Sequence, residues 1–207
     1  MEAVEREHLE ARLRALCTGG DLAGAATLAL RGYGPEVYGF LVVATNSAAD
    51  ADDVFSELAQ GLWKGLPTFA WESTLRTWMY AIARNLLRVR RREAAQWLRK
   101  VAPMRESALE NVAQAVRTET LAFLRTEKRT SLQALRDRLD PEERMLLVLR
   151  VDRRLSWNDL ARILNDEAGR GPLEGAALAK EAARWRKRFQ LVKDRLRKLA
   201  RQEGLLD

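Results

Sequence analysis

At 207 residues the chain is long enough for one medium or two small domains, and 36 Lys plus Arg against 29 Asp plus Glu leave it at +7, a balance that favours an anionic partner, most often nucleic acid. Its one cysteine, Cys17, and one histidine, His8, exclude an internal disulfide framework and a zinc site of the usual Cys/His kind. No stretch approaches the roughly 20 apolar residues that span a bilayer, and the charged N-terminus lacks the apolar run of a signal peptide. A cytoplasmic protein with no membrane contact is expected.

In chain order the pattern is helical throughout, with no strand alternation. A first helix over Val4 to Leu16 ends at Gly19 and Gly20. A second stretch from Asp21 to Thr45 is expected to be interrupted near Gly32 to Pro35. Ser47 to Asp50 forms a capping box for a third helix, with Phe55, Leu58, Ala59 and Leu62 buried, ending near Gly65. Pro67 breaks the pattern. A long helix then runs from Thr74 to Leu98, with Leu75, Trp78, Ile82, Leu86 and Val89 as its buried stripe. From Arg99 to Arg129 the periodicity weakens, apolar residues such as Leu109 and Val112 are sparse, and a linker with room for one helix is expected.

A second helical domain follows. Leu132, Leu135 and Leu139 line a short helix. Asp140, Pro141 and Glu143 make a strong start for the next, which carries Met145, Leu146 and Leu149. Ser156 to Asp159 is a further capping box opening Leu160 to Leu164. The last helix, Gly175 to Arg201, has an apolar stripe of Leu178, Ala182, Trp185, Phe189, Val192, Leu196 and Leu199.

Catalysis is disfavoured, because no nucleophile–base–orienter set and no Gly-rich phosphate loop can be found. With Trp78 at the centre of the buried stripe, Tyr80, Arg84, Arg88 and Arg91 fall on the opposite helical face, suited to phosphates and unstacked bases. The short loop from Phe69 to Thr74 presents two aromatics, Phe69 and Trp71, that can stack on flipped bases. Alternatively, Trp71 and Trp78 are both core and the arginine face is merely solvated, and periodicity alone favours that. The acidic Asp50, Asp52, Asp53 and Glu57 suit either a protein docking site or favourable charge at a helix N-terminus. The last two helices look like a helix-turn-helix, with Lys180, Arg184, Lys187 and Arg188 on the side that meets base edges. Arg195, Arg197 and Lys198 are explained by placement near a helix C-terminus.

Taken together, residues 33–92 resemble domain two of the extracytoplasmic-function group of bacterial RNA polymerase sigma factors. The motifs are Ala48 to Val54, Leu62 with Trp63, Phe69, and the string Thr77, Trp78, Tyr80, Ile82, Ala83 and Asn85. Residues 132–200 look like the family's domain four, from Leu139 to Glu143, Leu155 to Ala161 and Val192 to Ala200. The resemblance implies that Asp50, Asp53, Glu57 and Trp63 bind the coiled-coil clamp of the polymerase largest subunit. It implies that Phe69, Trp71, Ser73, Thr74, Thr77, Tyr80, Arg84, Asn85, Arg88 and Arg91 capture the melted minus-ten strand. Lys180, Arg184, Lys187 and Arg188 would read the minus-thirty-five duplex. Ser56 stands where the family often has Gln, the turn from Asp166 to Glu174 is longer than usual, and the last helix lacks the family's Thr-Val-Lys-Ser-Arg start.

The expectation is therefore an all-α protein of two small domains, residues 1–98 and 130–207, joined by a linker over 99–129. It is a transcription initiation sigma factor, not an enzyme, and needs no cofactor. Its partners are core RNA polymerase, through the clamp and, for domain four, the flap, and promoter DNA, with an anti-sigma factor as a candidate regulator. The alternative is a sigma-like helical interaction module that binds polymerase or a regulator without reading DNA. An ordinary helix-turn-helix repressor would need a dimerisation helix and an effector pocket, for which no segment is spare.

Overall fold

A computed structural model describes residues 3–93, 107–126, 131–165 and 173–206, and every regular element among them is helical. The chain divides into two units, Met1–Leu124 and Arg125–Asp207.

The first unit contains α1 (Ala3–Thr18), α2 (Leu22–Thr45), α3 (Ala48–Gly65), a short 3-10 turn (Leu66–Thr68), α4 (Leu75–Glu93) and α5 (Ser107–Thr126). α2 is its central strut. Asp21 caps it by accepting from the Gly24 amide, and Asn46 closes it in the left-handed conformation, which Asn tolerates better than most residues. The interruption expected near Pro35 does not occur: α2 runs continuously through it. The hydrogen bond that Pro35 cannot donate is offset by burial on either side, where Leu30, Tyr33, Val37, Tyr38, Phe40 and Leu41 are all fully enclosed. Each such side chain contributes about 1.5–3 kcal/mol relative to exposure.

α3 starts at Ser47, whose hydroxyl accepts from the Asp50 amide. Its stripe of Val54, Phe55, Leu58, Ala59 and Leu62 is buried, with Phe55 edge-on to Tyr38 of α2 at 5.4 Å between ring centroids. The segment assigned as linker contains α5, and Leu109, Ala113 and Val116 of that helix are buried in the first unit. Residues 94–98, expected to extend α4, lie outside the described residues.

The second unit contains α6 (Ser131–Asp137), α7 (Pro141–Leu147) running into a π-helical turn (Val148–Asp152), α8 (Trp157–Leu164) and α9 (Gly175–Gln202). The starts at Asp140 and Ser156 are reciprocal capping boxes, with Glu143 and Asp159, whereas in the box expected at Ser47 the Ser47 amide donates to Thr45 and not to Asp50. The apolar stripe of α9 faces inward, with Leu178, Ala182, Trp185 and Val192 buried against the rest of the unit. Arg188 and Arg195 of α9 pair with Glu142 and Glu143 of α7 at 3.3 and 2.9 Å, so the first turn of α7 also holds the last helix. The turn between α8 and α9 falls largely outside the described residues, at 166–172.

Candidate nucleic-acid interface

α4 carries most of the residues expected to meet single-stranded DNA, and the structure turns it by roughly a third of a turn from the expected orientation. Leu75, Met79, Ala83 and Leu87 are buried, and so are Arg76, Thr77, Tyr80 and Arg84 beside them. Trp78, Ile82 and Leu86 are only half-buried, and Val89 is exposed. This corrects the outward face assigned to Tyr80 and Arg84, and Thr77, named only through the resemblance, is buried as well. Tyr80 is fully enclosed and sits edge-on to Phe40 at 5.4 Å, Thr77 lies beneath Thr74, and Arg84 is buried with them.

The physical reason lies in an internal charge network. Arg76 donates two hydrogen bonds to Glu36 of α2, at 2.5 and 3.0 Å. Burial opposes its charge, but the Glu36 contact outweighs that penalty and holds the guanidinium above its ordinary range. At the same turn, Glu10 of α1 accepts from the Leu75 and Arg76 amides at 2.9 and 3.1 Å and from the Tyr33 hydroxyl at 2.8 Å. A carboxylate from another helix thus caps α4, where free amides and the helix dipole both favour negative charge. With two partnered arginines on its buried face, α4 does not display that face as an apolar stripe.

The residues left accessible form a surface around the loop. Trp71 takes a left-handed backbone, φ 58°, a strained conformation for a bulky residue. Its ring lies 5.0 Å from that of Phe69, and Phe69 stacks on Trp78 at 4.7 Å and 22°. Arg14 of α1 sits over the Trp71 ring at 5.5 Å. Gly65 makes room for the stack, since a Cβ there would lie 2.7 Å from Trp78. Ser73 is half-buried, and Thr74, Asn85 and Arg91 are exposed. Arg88 donates to Asn85 at 3.0 Å. The result is three half-buried aromatic faces beside hydroxyl, amide and guanidinium groups, a combination that stacks bases and holds phosphates.

On α3, Asp50 and Asp53 are exposed and Glu57 and Trp63 half-buried. Arg90 of α4 reaches across to this helix, pairing with Glu57 at 3.1 Å and Asp53 at 3.5 Å and donating to the Asp50 carbonyl at 3.0 Å. The acidic patch is therefore partly neutralised from within.

In the second unit Lys180, Arg184, Lys187 and Arg188 are all exposed, as the stripe of α9 requires. Arg184 pairs with Glu181 in its own helix at 3.3 Å and Arg188 with Glu142. Trp157 of α8 meets Phe189 edge-on and lies under Arg150 at 4.6 Å. Arg195 and Arg197 make the ion pairs Arg195–Glu143 and Arg197–Asp194, so they act in packing and local charge balance. The sequence did not single out Glu10, Glu36, Arg76, Arg90 or Arg117. The only signal for them is charge at positions that the correct helical phase would bury.

No group of His, Cys, Asp or Glu residues among the described residues is arranged to hold a metal ion, and none of the described helices is long and apolar enough to cross a membrane. What remains is an all-helical, two-unit chain whose accessible chemistry is aromatic, basic and acidic surface. Residues 29–97, which run from within α2 through α3, the aromatic loop and α4, match the family model for sigma-70 region 2. That segment, 69 of the 207 residues, is what the chain shares with region 2 of sigma-70 factors. No curated protein and no solved structure matches the chain.

Proposed function

We infer that this protein is a transcription initiation factor of the extracytoplasmic-function group, working in the cytoplasm as a regulator and not an enzyme. The observation that carries the reading is the sigma-70 region 2 match falling on the same stretch that holds the acidic helix, the aromatic loop and α4. In this reading α3 docks on the clamp of core RNA polymerase through Asp50, Asp53, Glu57 and Trp63. The loop then takes bases of the melted minus-ten strand onto Phe69 and Trp71, aided by Ser73, Thr74, Asn85, Arg88 and Arg91. Stacking contributes about 1–3 kcal/mol per base, which offsets an unstacking cost of a few kcal/mol without a cofactor. Tyr80, Thr77 and Arg84 serve as the support beneath that surface. In the second unit α8 and α9 act as a helix-turn-helix, α9 reading the minus-thirty-five duplex with Lys180, Arg184, Lys187 and Arg188, while the unit as a whole meets the polymerase flap.

A second reading, a helical module that binds polymerase or a regulator without reading DNA, draws on the acidic partners of Arg184 and Arg188, which blunt their charge. In-vitro transcription with core polymerase on fragmented genomic DNA separates the two. The first reading expects defined start sites that appear only when the protein is added. Binding to core with no new transcript would establish the second. Within the first, replacing Asp53 by Asn together with Glu57 by Gln should weaken core binding at least tenfold, about 1.4 kcal/mol, with helix content by circular dichroism unchanged. Unaltered affinity in that variant would remove α3 from the interface.

A further inference from the structure

α1 lies outside the segment that matches sigma-70 region 2, yet it holds the aromatic loop at two points. Glu10 fixes the end of the loop by accepting from the Leu75 and Arg76 amides. One helical turn on, and on the same face of α1, Arg14 reaches the middle of the loop and sits over the Trp71 ring at 5.5 Å. Between them Leu13 is fully buried, and Leu9 packs so closely on Gly32 of α2 that a Cβ there would collide with it. Packing therefore fixes the backbone of α1 and leaves the Arg14 side chain as the part that moves.

Arg14 is exposed and makes no ion pair among the described residues. A guanidinium over a ring at an exposed site is held weakly, so it yields to a base that stacks on the same face. The displaced cation stays beside the strand, because a nucleotide's phosphate is only one sugar away from its base. The other cations assigned to the strand, Arg88 and Arg91, stand roughly 20 to 24 Å along α4 from Leu75, at about 1.5 Å per residue. Neither reaches a phosphate beside Trp71, and Arg76, at the start of α4, is committed to Glu36.

We propose that Arg14 of α1 is a phosphate contact of the single-strand site: it rests over Trp71 in the free protein and moves to the phosphate of the nucleotide whose base stacks on that ring. This rests on the reading of the Phe69 to Thr74 loop as the place where unpaired bases land. One nucleotide is then held by two elements, its base by the loop and its phosphate by α1. The cation–π contact keeps the guanidinium beside the site before DNA arrives, so less side-chain freedom is lost on binding.

The test uses full-length protein bound to core polymerase and a fork-junction DNA whose non-template strand is unpaired through the minus-ten element. Arg14→Ala should weaken binding about tenfold and lower the slope of log affinity against log salt by about 0.7, the value for one phosphate of a single strand. Arg14→Lys keeps a point charge for the phosphate and should restore the slope. Neutral methylphosphonate placed at each phosphate in turn should weaken the wild type at one position that no longer matters in Arg14→Ala. Alanine is the best helix former and the position is exposed, so α1 keeps its fold in that variant. Equal or tighter binding by Arg14→Ala refutes the contact, and so does a loss that is the same at every salt concentration. Trp71→Ala is measured alongside. If it alone weakens binding, the loop stands and the Arg14 contact falls; if neither variant differs from the wild type, the reading of the loop fails and takes this inference with it.

Discussion

Glu10 shows how much one side chain outside the matched segment contributes to the site. It satisfies two amides at the start of α4 and the buried Tyr33 hydroxyl together, and all three lose their partner in Glu10→Ala. That variant should lose about 2–3 kcal/mol, the cost of charge-assisted hydrogen bonds broken at buried donors. Thermal denaturation would register it as a melting temperature lower by roughly 5–10 °C. Tyr33 gives the same contact a pH signature. Burial first, then the charge of Glu10 and the hydrogen bond to it, push the phenol well above its ordinary value of 10.0. The folded state therefore keeps a proton that the unfolded chain gives up. The stability this contributes is fully present below pH 10.0 and is lost as pH rises beyond it. Tyr33→Phe should flatten the alkaline limb of a stability–pH curve. An unchanged limb would mean that other groups set it. The same network explains why residue patterns misled at α4. Arg76 and Arg84 look like surface residues by type, and Trp78 looks like core. Yet Glu36 neutralises Arg76 inside the fold, while Gly65 and Phe69 give Trp78 a stacked, half-buried seat at the rim. A partner forty positions away in sequence is invisible to helical periodicity.

Among the elements, those with caps and dense apolar stripes were legible and those without were not. The Ser47, Asp140 and Ser156 starts and the stripe of α9 stand where the sequence places them, because capping is a local interaction and the stripe is long. α5 was legible only as room for one helix in the linker, because Ala113 and Thr120 on its buried side carry little hydrophobic signal. α2 was expected to break because Pro35 forbids one hydrogen bond, a local penalty that tertiary burial overrode. The aromatic loop was legible as a loop but not as a stacked cluster, since the left-handed Trp71 and the approach of Arg14 depend on α1. That geometry predicts a division of labour. Trp71→Ala removes one stacking face while leaving the acidic helix untouched, so initial promoter binding should change less than threefold while open-complex formation falls about tenfold or more, for a loss of about 1–3 kcal/mol of base stacking. Permanganate reactivity of unpaired thymines checks it, and normal melting would return Trp71 to a packing role.

At the scale of the whole molecule, a charge of +7 raises affinity for any polyanion and by itself says nothing of sequence preference. What distinguishes reading from mere adhesion is how individual cations behave when salt and sequence are varied. α9 turns Trp185 and Val192 inward, which leaves Arg184 and Lys187 on the solvent side. Lys187 makes no ion pair among the described residues, whereas Arg184 must give up its 3.3 Å contact with Glu181 to meet a base. That exposed pair is worth little, typically under about 1 kcal/mol, so it does not prevent exchange for a bidentate contact to guanine. Lys187→Ala should weaken binding of the polymerase complex to all promoters alike and lower the slope of log affinity against log salt by about one, the mark of a lost phosphate contact. Arg184→Ala should cost about 1–3 kcal/mol on the preferred minus-thirty-five sequence and much less on a scrambled one. Affinities measured on both sequences across a salt series test the pair together. A double variant that transcribes from a minus-thirty-five-dependent promoter at the wild-type rate in moderate salt would show that this face of α9 does not meet DNA, and the second unit would then be a docking module for polymerase alone.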